Sequence, residues 1–83
     1  MSINLADNNL TGEIPSEIVN LTDLRELNLH KNGISGTIPS ALENLKQLVV
    51  LDLSFNKLTG TIPSSVGELN KLVVLELYMN RLS

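Results

Sequence analysis

The sequence predicts a solenoid of the α/β class, with parallel strands in one sheet and short helical turns on the opposite side. Three observations predict it. Asn8, Asn32, Asn56 and Asn80 stand 24 residues apart, and Leu5, Leu29, Leu53 and Leu77 keep the same step. Gly12, Gly36 and Gly60 repeat in that register, as do Pro15, Pro39 and Pro63. Within each period, apolar alternation gives way to an Ile-Pro step and then to apolar residues spaced by three. A fixed period of this length marks units that bury their apolar faces only against their neighbours. The chain is one domain, 1–83, built of units 3–26, 27–50 and 51–74 with a partial fourth, 75–83. The second and third units agree at 12 of 24 positions, which fixes the register without gaps.

Each unit opens on a strand. Leu27 and Leu29, Leu51 and Leu53, and Leu75 and Leu77 alternate with polar residues, the period-two pattern of a strand with one buried face. The next strand comes one period later, so the strands stack parallel. Asn8, Asn32, Asn56 and Asn80 end them. An amide there can bond backbone groups of its own turn and of the adjacent coil, and four in register would form an asparagine ladder. Leu10, Ile34 and Leu58 then point inward. Gly12, Gly36 and Gly60 suit a tight bend. Proline at 15, 39 and 63 fixes an extended stretch. Ser16, Ser40 and Ser64 stand where a helix N-cap is expected. Behind them Ile18, Leu21 and Leu24 predict a short 3₁₀ or α turn, with Leu42, Leu45, Leu48 and Val66, Leu69, Leu72 at the same places.

The bulk numbers narrow the function. A net charge of −3 with six dispersed cations argues against nucleic acid and against an anionic membrane surface. With no cysteine there is neither a disulfide framework nor a thiolate metal site. No cofactor is expected. Met1 leads directly into the repeat without the basic and apolar regions of a signal peptide. The longest apolar run, Leu48 to Leu51, falls far short of the roughly 20 residues that span a bilayer. Taken as complete, such a chain is expected in the cytoplasm.

Leu24-Arg-Glu-Leu27-Asn-Leu29-His-Lys-Asn32-Gly-Ile34-Ser-Gly36-Thr-Ile38-Pro39 is matched one period later by Leu48-Val-Val-Leu51-Asp-Leu53-Ser-Phe-Asn56-Lys-Leu58-Thr-Gly60-Thr-Ile62-Pro63. The pattern resembles the plant-type leucine-rich repeat, LxxLxxLxLxxNxLxGxIPxxLxxLxx, over nearly the whole chain. Proteins with this repeat include ectodomains of receptor-like kinases and receptor-like proteins, and polygalacturonase-inhibiting proteins. The resemblance implies a leucine-rich-repeat solenoid, curved into a right-handed superhelix, that recognises proteins or peptides on its concave sheet face. It also implies an extracellular or plasma-membrane parent. Those proteins usually carry cysteine-paired caps, which are missing here, so the chain is expected to be a fragment of a longer solenoid.

The concave face is expected to carry four columns: Asn4, Asn28, Asp52 and Glu76; Glu26, Val50 and Val74; Ala6, His30, Ser54 and Tyr78; Asp7, Lys31, Phe55 and Met79. Neighbours in a column lie about 4.8 Å apart. The C-terminal half of this face is apolar and edged by carboxylates. Val50, Asp52, Val74, Glu76, Tyr78, His30 and Phe55 are therefore the expected partner-binding residues, with Tyr78 as anchor. The plainer alternative is that Phe55 packs on the next coil and the valines reflect strand propensity.

His30, Ser54 and Asp52 also suggest a hydrolytic triad. A triad needs a buried orienting acid, an oxyanion hole and a concave pocket. On an open sheet, side chains that point straight out do not converge, so His30 is expected to be solvated and the chain non-catalytic. Asp52 beside Glu76 has no third ligand to make a metal site. Asn9-Leu10-Thr11 and Asn20-Leu21-Thr22 are glycosylation sequons, although the repeat consensus generates the same triplets. Both ends lack a polar capping unit and present open strand edges, which favours end-to-end self-association. The expected function is a protein or peptide recognition module. The alternatives are a structural stretch without its own ligand, or part of a receptor-like kinase whose kinase domain lies outside these residues.

Overall fold

A computed structural model describes residues 1–83. Strands β1 (Ser2–Asn4), β3 (Glu26–Asn28), β5 (Val50–Asp52) and β7 (Val74–Glu76) form one four-stranded sheet in the order β1-β3-β5-β7. All its pairs are parallel, and the register steps by one repeat: Ile3 faces Leu27, Leu27 faces Leu51, Leu51 faces Leu75. A second ladder runs along the next side of the coil. There β2 (Thr11–Glu13) pairs with β4 (Gly33–Ser35), and β6 (Thr59–Gly60) with β8 (Arg81–Leu82). The third side carries 3₁₀ helices η1 (Ser16–Asn20), η2 (Ser40–Asn44) and η3 (Ser64–Glu68).

The helical side corrects one expectation. Ser16, Ser40 and Ser64 do not cap; each is the first helical residue, and Pro15, Pro39 and Pro63 hold the cap position with no side-chain hydrogen bond. A cap residue must keep extended backbone to bring its side chain round to the next turn. Proline, at φ −63, −63 and −60 with ψ 134, 131 and 134, already fills that role. The serine after it has entered the helix.

Fourteen apolar residues form one core. Leu27, Leu42, Leu45, Leu48 and Leu51 are fully enclosed with a coil on both sides, and Leu24 is fully enclosed with one period neighbour, Leu48. Leucines at the same register in the outer coils are less covered: Leu21 is 36 % exposed and Leu75 42 %, and Leu5 is 43 % exposed where Leu29 and Leu53 are buried.

The asparagine ladder forms, and it has a direction. Asn56 donates from Nδ2 to the carbonyls of Leu53 and Ser54 in its own turn and of Leu29 in the coil before. Its Oδ1 accepts the Ile34 N–H of that earlier coil at 3.1 Å. Asn32 does the same for Leu5 and Leu10, and Asn80 for Leu53 and Leu58. Each amide therefore satisfies backbone groups that the tight turn would leave unpaired. Asn8 is the exception. Its Nδ2 reaches only Ala6 O, and its Oδ1 accepts no N–H from another coil.

Candidate functional site: the concave sheet face

The turn after each strand shapes the face. Residues at the strand ends bend sharply: Asp7, Lys31, Phe55 and Met79 all take left-handed backbone, φ 57 to 59. That conformation costs a non-glycine residue on the order of 1–3 kcal/mol, and it persists because neighbouring bonds hold it. Here the holding bonds run between coils, Lys31 N–H to Ser54 O at 3.0 Å and Phe55 N–H to Tyr78 O at 3.1 Å. The fourth expected column is therefore a row of turns rather than of strand residues.

The turn at Phe55 carries its ring into a row of three. His30 and Phe55 meet edge to face at 5.2 Å and 70°, and Phe55 and Tyr78 at 5.3 Å and 78°. Such edge-to-face pairs add about 0.5–1.5 kcal/mol each beyond the area they bury. The alternative of Phe55 as a packing residue is thus half right: it packs on both neighbouring coils, yet stays 39 % exposed. Tyr78 is 53 % exposed and Met79 63 %, while Val50 and Val74 flank them in register. The apolar C-terminal half of the face is present as expected, and Ser2 joins Glu26, Val50 and Val74 as the first residue of their column.

Beneath the aromatic row, two expectations fail. His30, Ser54 and Asp52 do converge. Ser54 Oγ donates to Asp52 Oδ1 at 2.6 Å, His30 Nδ1 lies 2.9 Å from Ser54 Oγ, and His30 Nδ1 lies 3.8 Å from Asp52 Oδ2. The reason is the strand end. The side chains of Asn4, Asn28 and Asp52 each curl back to accept the N–H two residues on, at 3.2, 3.0 and 3.1 Å. These are Asx turns, which pull the short polar side chain along the chain instead of away from the sheet. Asp52 is therefore no free acidic edge, with a side chain only 14 % exposed, and His30 is two-thirds covered instead of solvated. Glu76 has no Asx geometry available to its longer side chain and is the carboxylate left at that edge.

The trio is still not arranged for nucleophilic attack. In a triad the histidine accepts the serine proton and the acid orients the histidine. Here Ser54 gives its proton to Asp52, so His30 Nδ1 is the donor to Ser54. Ser54 is also completely enclosed. The network instead braces the histidine end of the aromatic row. Ser54 as a buried, fully bonded residue was missed by sequence reasoning; the Asn/Asn/Asp series at 4, 28 and 52 was the available signal. No buried side-chain nitrogen or oxygen lacks a partner, and no group of three metal-ligating side chains occurs. Asn9 and Asn20 are both exposed. No helix is long and apolar enough to cross a membrane.

The leucine rich repeat family model matches residues 22–82, and a second leucine rich repeat model matches residues 1–21. No curated protein matches the chain. Solved structures do. The ectodomain of the Arabidopsis thaliana membrane receptor kinase GASSHO1/SCHENGEN3, in complex with CASPARIAN STRIP INTEGRITY FACTOR 2, is 44 % identical over 98 % of this chain with a TM-score of 0.95. The plant peptide hormone receptor RGFR1, in complex with RGF2, is 41 % identical over 96 % with a TM-score of 0.94. A plant ice-binding protein is 46 % identical over 89 % with a TM-score of 0.86. This chain spans 10 %, 13 % and 24 % of those three chains. The chain belongs to the leucine-rich-repeat family.

Proposed function

From that membership we propose that this segment is a non-catalytic recognition module that binds a peptide or protein on its concave sheet face. The observation that carries the proposal is the exposed aromatic row ending at Tyr78, flanked by Val50 and Val74. Tyr78 is the anchor: it is the most exposed ring of the row, held from one side by Phe55 and open on the other. Val74 and Met79 extend the apolar surface. Glu76 and Glu26 supply carboxylates at its edge, so the favoured ligand is apolar with a basic residue. His30, Asp52 and Ser54 fix the row in place, which lowers the ordering cost of binding. Receptors of peptide hormones among the similar structures support a ligand-binding role, and a place within a longer receptor-like solenoid follows from the same likeness.

A peptide library displayed on phage and selected on the immobilised chain tests this reading. Selected peptides should be rich in apolar and basic residues. Tyr78→Ala should weaken their binding tenfold or more, the behaviour of a central anchor. Lys46→Ala, an exposed residue on the helical side, should leave it unchanged. Peptides that bind both variants alike would remove the concave face as the site.

A further inference from the structure

On the reading of the concave face as the recognition surface, we propose that His30 is its polar specificity determinant: Nε2 is held as a bare hydrogen-bond acceptor, and the ligand presents a donor to it.

The proton positions follow from the distances. Ser54 Oγ lies 2.6 Å from Asp52 Oδ1. A carboxylate only accepts, so the single hydroxyl proton of Ser54 points at Asp52. The same oxygen lies 2.9 Å from His30 Nδ1. With its proton committed, Ser54 Oγ offers that nitrogen only lone pairs, so Nδ1 carries a hydrogen. Neutral imidazole has a single N–H, and the bond made by one ring nitrogen sets the state of the other. Nε2 is therefore left with its lone pair. The relay is held in place. Ser54 is fully enclosed, and its N–H also donates to Asp52 Oδ1 at 3.1 Å. The His30 backbone is fixed as well: its N–H donates to Asn28 Oδ1 at 3.0 Å, and its carbonyl accepts the Asp7 N–H at 2.8 Å.

Nothing in the chain uses the Nε2 lone pair. The His30 ring bonds through Nδ1 alone, and no buried side-chain nitrogen lacks a partner, so Nε2 opens to solvent. Phe55 stands edge to face against the same ring at 5.2 Å and is itself 39 % exposed. A ligand group arriving at His30 meets an acceptor with an apolar wall beside it. An arginine, lysine, asparagine or glutamine side chain next to an apolar residue fits that pair. A carboxylate there would set lone pair against lone pair. Because the acceptor is oriented before the ligand arrives, little ordering cost falls on binding. Ser54 and Asp52 act through His30 and are positioning residues.

His30 is the single histidine of the chain, so its ring nitrogens can be read without ambiguity in a long-range proton–nitrogen correlation spectrum. In alkaline solution, where imidazole is neutral, Nδ1 should carry the proton and Nε2 should resonate as an unprotonated nitrogen. Asp52→Ala frees the Ser54 proton and should let both tautomers appear. Peptides selected from the phage library on the parent chain are then measured against His30→Phe, which keeps a ring beside Phe55 and loses the acceptor. Their affinity should fall about tenfold, the loss of one hydrogen bond. Replacing the peptide's donor residue by alanine should weaken binding to the parent and have little further effect on His30→Phe. The Nε2 resonance of the parent should move upfield on binding, as an accepting nitrogen does. A free ring protonated at Nε2 overturns the proposal, and so does an Asp52→Ala ring locked as firmly as the parent's. Binding unchanged by His30→Phe yet weakened by Tyr78→Ala overturns it while leaving the concave face as the site. Binding unchanged by both, or a library that returns no binder, removes the two readings together.

Discussion

The interior coils and the outer coils carry the same residues at the same register and bury them differently. Leu45 is fully enclosed, while Leu21, one period earlier, is 36 % exposed. Leu51 is fully enclosed, while Leu75, one period later, is 42 % exposed. The Asn56 side chain bonds two coils, while the Asn8 side chain bonds only its own turn. In a solenoid the contribution of a residue belongs to the interface it sits in, and an end residue has one interface where an interior residue has two.

The largest test of that comparison is a pair of truncations. Leu45→Ala should destabilise by about 2–5 kcal/mol, the range for an enclosed leucine that leaves a cavity. Leu21→Ala, open to solvent at the end, should cost less than about half as much, since less surface returns to water. Urea melts of the two variants, in dilute protein, measure the gap; equal midpoints would mean that the outer coil is packed as tightly as the inner one.

The ladder gives a second, smaller contrast. Asn56→Leu removes the partner of Ile34 N–H and takes one of two amide donors from each of the Leu29 and Leu53 carbonyls, which keep Asn32 and Asn80, at a cost of about 1–3 kcal/mol. Asn8→Leu strips no other coil of a partner and should shift the thermal midpoint by no more than a fraction of that. If the two midpoints fall together, the direction assigned to the ladder is wrong.

The smallest contrast sits at the bends. Gly12 and Gly36 share left-handed backbone, φ 83 and 81, so alanine at either should cost about 1 kcal/mol. A Cβ at Gly12 meets nothing, whereas one at Gly36 would lie 2.6 Å from Glu13 Cγ of the preceding coil. Glu13 is exposed and can swing away, so Gly36→Ala should be worse by only a few tenths of a kcal/mol. Glu13→Ala in the Gly36→Ala background should recover that difference and nothing more.

By itself the sequence determined the coil. The period, the parallel stack, the ladder positions, the proline break and the inward leucines come from residue spacing, because each rests on backbone geometry that repeats whenever the residues do. The two concave columns inside the strands, those of Glu26 and of Asn28, were legible for the same reason: alternation along a strand assigns faces. The tertiary structure decided what those side chains do once placed. An Asx turn drew Asp52 away from solvent, a left-handed turn set Phe55 between His30 and Tyr78, and proline displaced serine from the cap. The Asx turn and the proline cap are local and follow the detailed backbone at the strand end and the helix start. The ring contacts join residues about a full period apart, at distances set only when one coil lies against the next.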